Sequence, residues 1–311
     1  MSCSNLPSIT IPSSTSNNVI TEDVSNLGLT VSNKYRFSSL TDDYIDMIVD
    51  EKVKTRFANL PKFDKRYNLV LTGTVGAGKS TRLDIMSRLL EVNHQNVHNF
   101  VEYLNMPFGK ELFNGFIHNQ LSALTFQSFV LDGWNYSGKQ NAINLYERCC
   151  DDSVVCFCTN HYYNGKMTKE EVNTLFNKMK SIVTEHDYPT YTRPYNFTPI
   201  DSTDINSNLL QIADIMECDY NNGVTNRIIG LRVPSEVSMS RIRSRNRKGE
   251  ENYDDKYVWQ MNRWYSELFM FAEMKNILTE PFALTTGIYF DSSDMKDKTV
   301  TKEDEEAERS D

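Results

Sequence analysis

The sequence has no apolar stretch approaching the length of about 20 residues that a membrane span requires. A membrane partner is therefore not expected. It also has no excess of positive charge, with 33 Lys and Arg against 42 Asp and Glu, a net charge of -9 and a pI near 5.2. That balance argues against broad binding of nucleic acid, which needs a basic surface. The first charged residue is Glu22, and the Ser-rich opening has neither the apolar core of a secretory signal nor the arginines of a mitochondrial presequence. Cysteine is sparse and poorly spaced for zinc. Cys149, Cys150, Cys156 and Cys158 form Cys-Cys and Cys-x-Cys pairs, neither of which fits the spacing of common zinc sites, and no histidine sits at the usual offset. Reduced, partly buried thiols in a cytoplasmic protein are the expectation. No internal repeat and no N-K-x-D guanine-binding motif occur.

What is present is a phosphate-binding loop. Gly73 to Thr81 reads GTVGAGKST, between the apolar run Asn68 to Leu71 and a helical stretch from Arg82 to Leu90. A loop of this kind turns successive backbone N–H groups toward one point, and the following helix adds the positive end of its dipole. Gly73, Gly76 and Gly78 keep the approach open, with Thr74, Val75 and Ala77 between them. Lys79 can reach terminal phosphates, Ser80 can offer a hydroxyl to Mg²⁺, and Thr81 completes the motif. The loop names the ligand class but no reaction.

With 39% apolar and 11% aromatic residues, the chain can bury a substantial core. The pattern suggests a single α/β domain over 31–290, preceded by a disordered extension, 1–30, and followed by an acidic tail, 291–311. Tyr44, Ile45, Ile48, Val49, Val53 and Phe57 predict one amphipathic helix ending before Pro61. From Asn68 to about Gly165, short apolar runs alternate with helical ones, as in a parallel sheet wrapped by helices. Glu170 to Thr184 reads as a helix. The polar, proline-containing segment 185–222 reads as an insertion with one short helix, Leu209 to Met216. Arg227 to Val233 reads as a buried strand, and Pro234 with Ser235 opens a helix ended by Gly249.

Three clusters carry chemistry. Glu102 follows Asn99, Phe100 and Val101 at the distance of a second strand, where ligands of open α/β sheets bind, although it equally suits a surface position or a cap. Glu147 and Arg148 end another apolar run and can serve a metal and a substrate oxygen, or form an ordinary ion pair. RIRSRNRKGEE, from Arg241 to Glu251, spreads its arginines around a helix and does not form one nucleic-acid face. Such arginines either stabilise a transferring phosphoryl group or form a solvated helix face.

In this order the pieces resemble the deoxynucleoside kinase family, from about Asn68 to Leu268. GTVGAGKST looks like that family's phosphate loop, LTFQSFV with Gln127 like its base-reading helix, and YERC like its Glu-Arg-Ser segment. Phe157 lies nine residues after Arg148, where the family places its base-stacking phenylalanine. PSEVSMSRIRSRNRKGEE looks like its arginine-rich lid. The resemblance implies a P-loop kinase fold, a parallel sheet flanked by helices on both faces, with ATP as donor and Mg²⁺ as cofactor. It implies Glu102 as base toward the 5′-hydroxyl and Arg148 as the residue holding that oxygen. It also implies Lys79 on the donor phosphates, Ser80 and Glu147 on magnesium, and Arg245 with Arg247 over the transferring group. Gln127 would pair with the nucleobase, Phe157 would stack on it, and Glu251 would touch the sugar. The substrate class implied is a pyrimidine deoxynucleoside, with no nucleic acid or membrane partner; a homodimer stays open.

Several positions depart from that family pattern. Glu102 is followed by Tyr103 where the family has proline, Pro107 stands where it has tryptophan, and Phe116 replaces a sugar-contacting tyrosine. Cys149 replaces serine, and one extra residue precedes Glu250. Rival readings are a thymidylate-type monophosphate kinase, a nucleotide-binding scaffold without catalysis, and a GTPase or motor ATPase in which FVLDG, Phe129 to Gly133, is a strand. The segment from Glu102 to Trp134 offers only Lys110 as an acceptor-side cation, which favours a nucleoside acceptor over a monophosphate.

Overall fold

Five apolar segments pair as parallel strands: β1 (Tyr67–Thr72), β2 (Val97–Asn99), β3 (Ile143–Glu147), β4 (Phe197–Asp201) and β5 (Asn226–Arg232). Their spatial order is β2-β3-β1-β5-β4. The computed structural model describes residues 36–38, 40–100, 108–134, 138–191, 197–201, 204–245, 250 and 253–277. The proposed extension 1–30 and tail 291–311, Gly249, and the site residues Glu102, Arg247 and Glu251 lie outside them. So do Tyr103 and Pro107.

Every residue of β1 is buried, because helices cover both faces of the sheet. Leu69, Leu71, Leu145, Ile229 and Leu231 face one core, shared with α1 (Asp42–Ile48), α2 (Glu51–Ala58), α3 (Lys79–Val92) and α9 (Ile205–Asn222). Val70, Tyr146 and Ile228 point to the other. That face carries α5 (Ala123–Asp132), the consecutive segments α6 (Cys150–Asp152), a π-type turn (Ser153–Cys158) and α7 (Thr159–Tyr163), then α8 (Lys169–His186) and α11 (Asp255–Ile277). Two further helices, α4 (Gly109–Ile117) and α10 (Ser235–Arg245), flank the strand ends. No helix among the described residues is long and apolar enough to cross a membrane.

Two expectations are corrected. The single helix through Tyr44 and Phe57 is two helices, α1 and α2, separated at Val49 and Asp50. The Asn206 side chain replaces the lost helical bonding: Asp50 N–H donates to its Oδ1 at 3.1 Å, and its Nδ2 donates to Ile48 O at 3.1 Å. Ile45, Val49, Val53 and Phe57 stay buried across the break, which is why their spacing resembled one helix. Segment 185–222 holds more than the one short helix, Leu209 to Met216, expected in it. It supplies the edge strand β4 and the 18-residue helix α9, which buries Leu209, Ile212, Ala213 and Met216. Pro199 is tolerated because β4 is an edge strand with one neighbour. By contrast, Phe129 to Asp132 is helical, which removes the strand reading of FVLDG. The helix expected over Glu170 to Thr184 is α8, closed at its start by a reciprocal Thr168–Glu171 cap.

Candidate active site

The phosphate loop joins β1 to α3, and its three glycines all have positive φ: Gly73 +138°, Gly76 +79° and Gly78 +82°. At Gly76 the need is also steric, since a Cβ would stand 2.6 Å from the carbonyl oxygen of Ser238 on α10. That close approach lets α10 seat on the loop. Ser238 Oγ donates to Val75 O, Arg241 donates to Gly76 O at 3.3 Å, and Val75 packs with Met239, Ile242 and Val258. Ala77 is buried beneath the loop. Lys79, 3% exposed, donates to the carbonyls of Gly73 at 3.0 Å and Thr74 at 2.8 Å. Ser80 and Thr81 open α3 beside it.

β3 ends against this loop. Ser80 Oγ donates to Glu147 Oε2 at 2.8 Å, and Glu147 Oε1 lies 3.9 Å from Lys79 Nζ and 3.6 Å from an Arg148 nitrogen. A hydroxyl and a carboxylate in contact are the oxygen donors that Mg²⁺ takes alongside phosphate and water. Among the described residues no group of three or more His, Cys, Asp or Glu offers a metal cage of its own. The set therefore fits a cation that shares its coordination with phosphate. Arg148 has a positive φ of 74°, unusual for a bulky residue. Its N–H nevertheless prolongs the ladder, donating to Leu71 O at 2.9 Å. Its guanidinium lies 5.3 Å from the centre of the Phe157 ring.

Beyond Glu147 and Arg148 lies a cavity of about 470 Å³. Phe116 and Phe126, stacked at 4.7 Å, line it together with Trp134, Phe157, Gln127 and His161. Gln127 projects from α5, is 3% exposed, and has an Oε1 with no hydrogen-bond partner. Phe157 stands in the π-type turn, a helix distortion that recurs at functional sites. Thus the structure brings Lys79, Ser80, Glu147, Arg148, Gln127, Phe157 and Phe116 into one cleft. Arg245 instead makes a two-pronged pair with Glu250, at 3.0 and 2.7 Å.

Some residues of this cleft were not singled out from the sequence. Arg82 is buried on α3, donating to Gly78 O at 3.3 Å and, from two nitrogens, to Asn208 Oδ1 at 3.1 and 2.6 Å. Burial, reinforced by the charge of Arg241, pulls its pKa down to about 10. Asn160, His161 and Asn164 follow Phe157 at helical spacing and line the same cavity, a repeat that was legible once Phe157 was chosen. Lys166 and Lys256 also line it and Lys110 does not, so the acceptor-side cations come from outside the segment on which the sequence argument relied. The cysteines of the cluster are buried and free, with the thiols of Cys149, Cys150, Cys156 and Cys158 pushed up by burial.

Residues 69–194 match the family model described as deoxynucleoside kinase. Comparison with curated proteins finds no match. Among solved structures, deoxyadenosine kinase from M. mycoides with bound dATP is 18% identical with a TM-score of 0.42, over 69% of this chain and 88% of that one. The same enzyme with bound dCTP gives 18% and 0.43, over 74% and 97%. With products dCMP and a flexible dCDP it gives 19% and 0.43, over 69% and 87%. The phosphate loop, Gln127, the Glu147–Arg148 strand end and Phe157 all fall inside 69–194, the stretch over which the chain is similar to the deoxynucleoside kinase family.

Proposed function

We propose that this protein transfers the γ-phosphoryl group of ATP to the 5′-hydroxyl of a deoxynucleoside, a pyrimidine such as thymidine or deoxycytidine. The observation that carries the reading is the continuity of the cleft. An aromatic cavity with the buried amide of Gln127 in its wall ends at Glu147 and Arg148, which adjoin Lys79 and Ser80 of the phosphate loop. Phosphoryl transfer depends mainly on positioning and on stabilising charge, and these groups can do both.

In this reading the amides of Gly73 to Thr81 and Lys79 hold the donor phosphates. Mg²⁺, held by Ser80 and Glu147, would neutralise the charge that develops on the phosphate oxygens. Arg148 holds the acceptor oxygen, and Glu102 takes its proton. Gln127 pairs with the base edge, Phe157 stacks on its face, and Phe116 walls the sugar side with Glu251 at the 3′-hydroxyl. Arg245 and Arg247 serve the transferring group. Arg245 meets Glu250 through Nε and Nη2, one edge of its five-donor guanidinium.

Steady-state assays with ATP and Mg²⁺ against thymidine, deoxycytidine, deoxyuridine, purine deoxynucleosides and dTMP test the proposal. Turnover of a pyrimidine deoxynucleoside is expected. A second reading, a monophosphate kinase, draws support from Lys166 and Lys256 on the cavity wall; turnover of dTMP alone would establish it. ATP binding with no acceptor turned over would favour a scaffold. Glu102→Gln should abolish transfer and leave ATP binding nearly intact; retention of most activity would remove Glu102 as the base.

A further inference from the structure

Gln127 Nε2 lies 3.3 Å from His161 Nε2, both side chains being buried in the cavity wall. Two nitrogens at that distance form a hydrogen bond only if one donates and the other accepts. The amide nitrogen of glutamine can only donate, so His161 Nε2 accepts and the ring proton resides on Nδ1. The ring is held for this task, lying edge-on to Phe116 with centres 5.1 Å apart. Burial and the charge of Lys166 push its pKa down to about 4, so the ring is neutral over the ordinary pH range.

With one amide hydrogen committed to His161, Gln127, which lines the cavity, keeps Oε1, without a partner in the protein, as acceptor and its remaining N–H as donor, in one spatial order. A 4-oxo pyrimidine presents a ring N–H donor beside an oxygen acceptor, and a 4-amino pyrimidine presents the reverse. A free glutamine reads both by flipping its amide end over end. Here that flip sets Oε1 against the His161 lone pair, so it also requires moving the ring proton to Nε2.

We infer that His161 is a positioning residue that fixes the orientation of the Gln127 amide and so makes the pocket discriminate between 4-oxo and 4-amino pyrimidine deoxynucleosides. The inference rests on the nucleoside-pocket reading above and adds the residue that sets its selectivity.

Equilibrium binding of thymidine and deoxycytidine to the full chain, with and without His161→Phe and His161→Asn, tests it independently of transfer. Phenylalanine keeps the packing on Phe116 and removes the acceptor; asparagine keeps a polar atom in a smaller volume. The wild-type protein should prefer one nucleoside by at least about tenfold, the worth of about one such hydrogen bond. His161→Phe should bring the two affinities within about threefold of each other, chiefly by tighter binding of the disfavoured nucleoside, while His161→Asn keeps part of the preference. A purely structural role would weaken both equally and leave the ratio unchanged, which would overturn the inference. So would a wild-type protein that binds both alike, or neither. Selective binding without transfer to any acceptor would overturn the kinase reading while leaving this one standing.

Discussion

Lys79 shows how one side chain can be placed by its own loop. Its ammonium is almost wholly buried, held by two carbonyls of the loop it belongs to and 3.9 Å from Glu147. Under the proposed function, Lys79→Ala is expected to lower kcat by about 10²-fold or more, because the charge proposed to hold the donor phosphates is lost from a water-poor site. Rate measurements at saturating ATP, beside a thermal melt to confirm folding, check this. Asp151 is a buried residue that the mechanism does not use. Its Oδ2 accepts from Thr190 Oγ1 at 2.6 Å and from Tyr191 N–H at 2.9 Å, yet burial raises its pKa from 3.8 to about 6. The folded state thus binds the proton more tightly than the unfolded one. The stability it contributes is complete below pH 3.8 and is lost as pH rises through about 6. Asp151→Asn, with its carbonyl oxygen in the Oδ2 position, should stabilise the protein by up to about 3 kcal/mol at pH 8 and by little at pH 4. Denaturant melts at the two pH values decide it; an equal effect at both would show that burial is not the cause.

Among the elements, α9 has consequences beyond its own length. Its first turn supplies Asn206, which bridges the break between α1 and α2, and Asn208, which accepts from Arg82 and donates to Asp201 O at 2.7 Å. Through Arg82, which also bonds Gly78 O, the helix is tied to the phosphate loop. Asn208→Ala should cost about 1–3 kcal/mol, since it leaves a buried guanidinium short of an acceptor. Urea unfolding measures the cost, and no measurable change would show that Arg82 finds another partner. These contacts were not legible in the sequence. Asn206 and Asn208 read as polar residues in a polar stretch, because pairing with elements far away along the chain leaves no local pattern. The loop, α8 and β5 were legible, because glycine spacing, apolar residues three or four apart and a continuous apolar run are local consequences of local geometry.

For the whole molecule, the expectation that segment 185–222 is an insertion has a direct test. Excision of 197–222 should yield protein that does not unfold cooperatively, because it removes the edge strand and one wall of a core. A soluble product with a sharp melt would support the insertion reading. At the crossing of β4, β5 and α11, Gly230 leaves room for two rings: a Cβ there would lie 2.7 Å from Phe197 and 2.9 Å from Phe269. Gly230→Ala should cost about 1–3 kcal/mol by overpacking, read as a lowered melting temperature. By itself the sequence determined the phosphate loop, the alternation that makes a parallel sheet, and the strand end at Glu147 and Arg148, since each is written in the spacing of neighbours. Only the tertiary structure decided that β4 and α9 complete the sheet and its cover. It also decided that Arg241 reaches the loop while Arg245 pairs with Glu250, and that His161 meets Gln127, because these follow from how helices distant in sequence pack together.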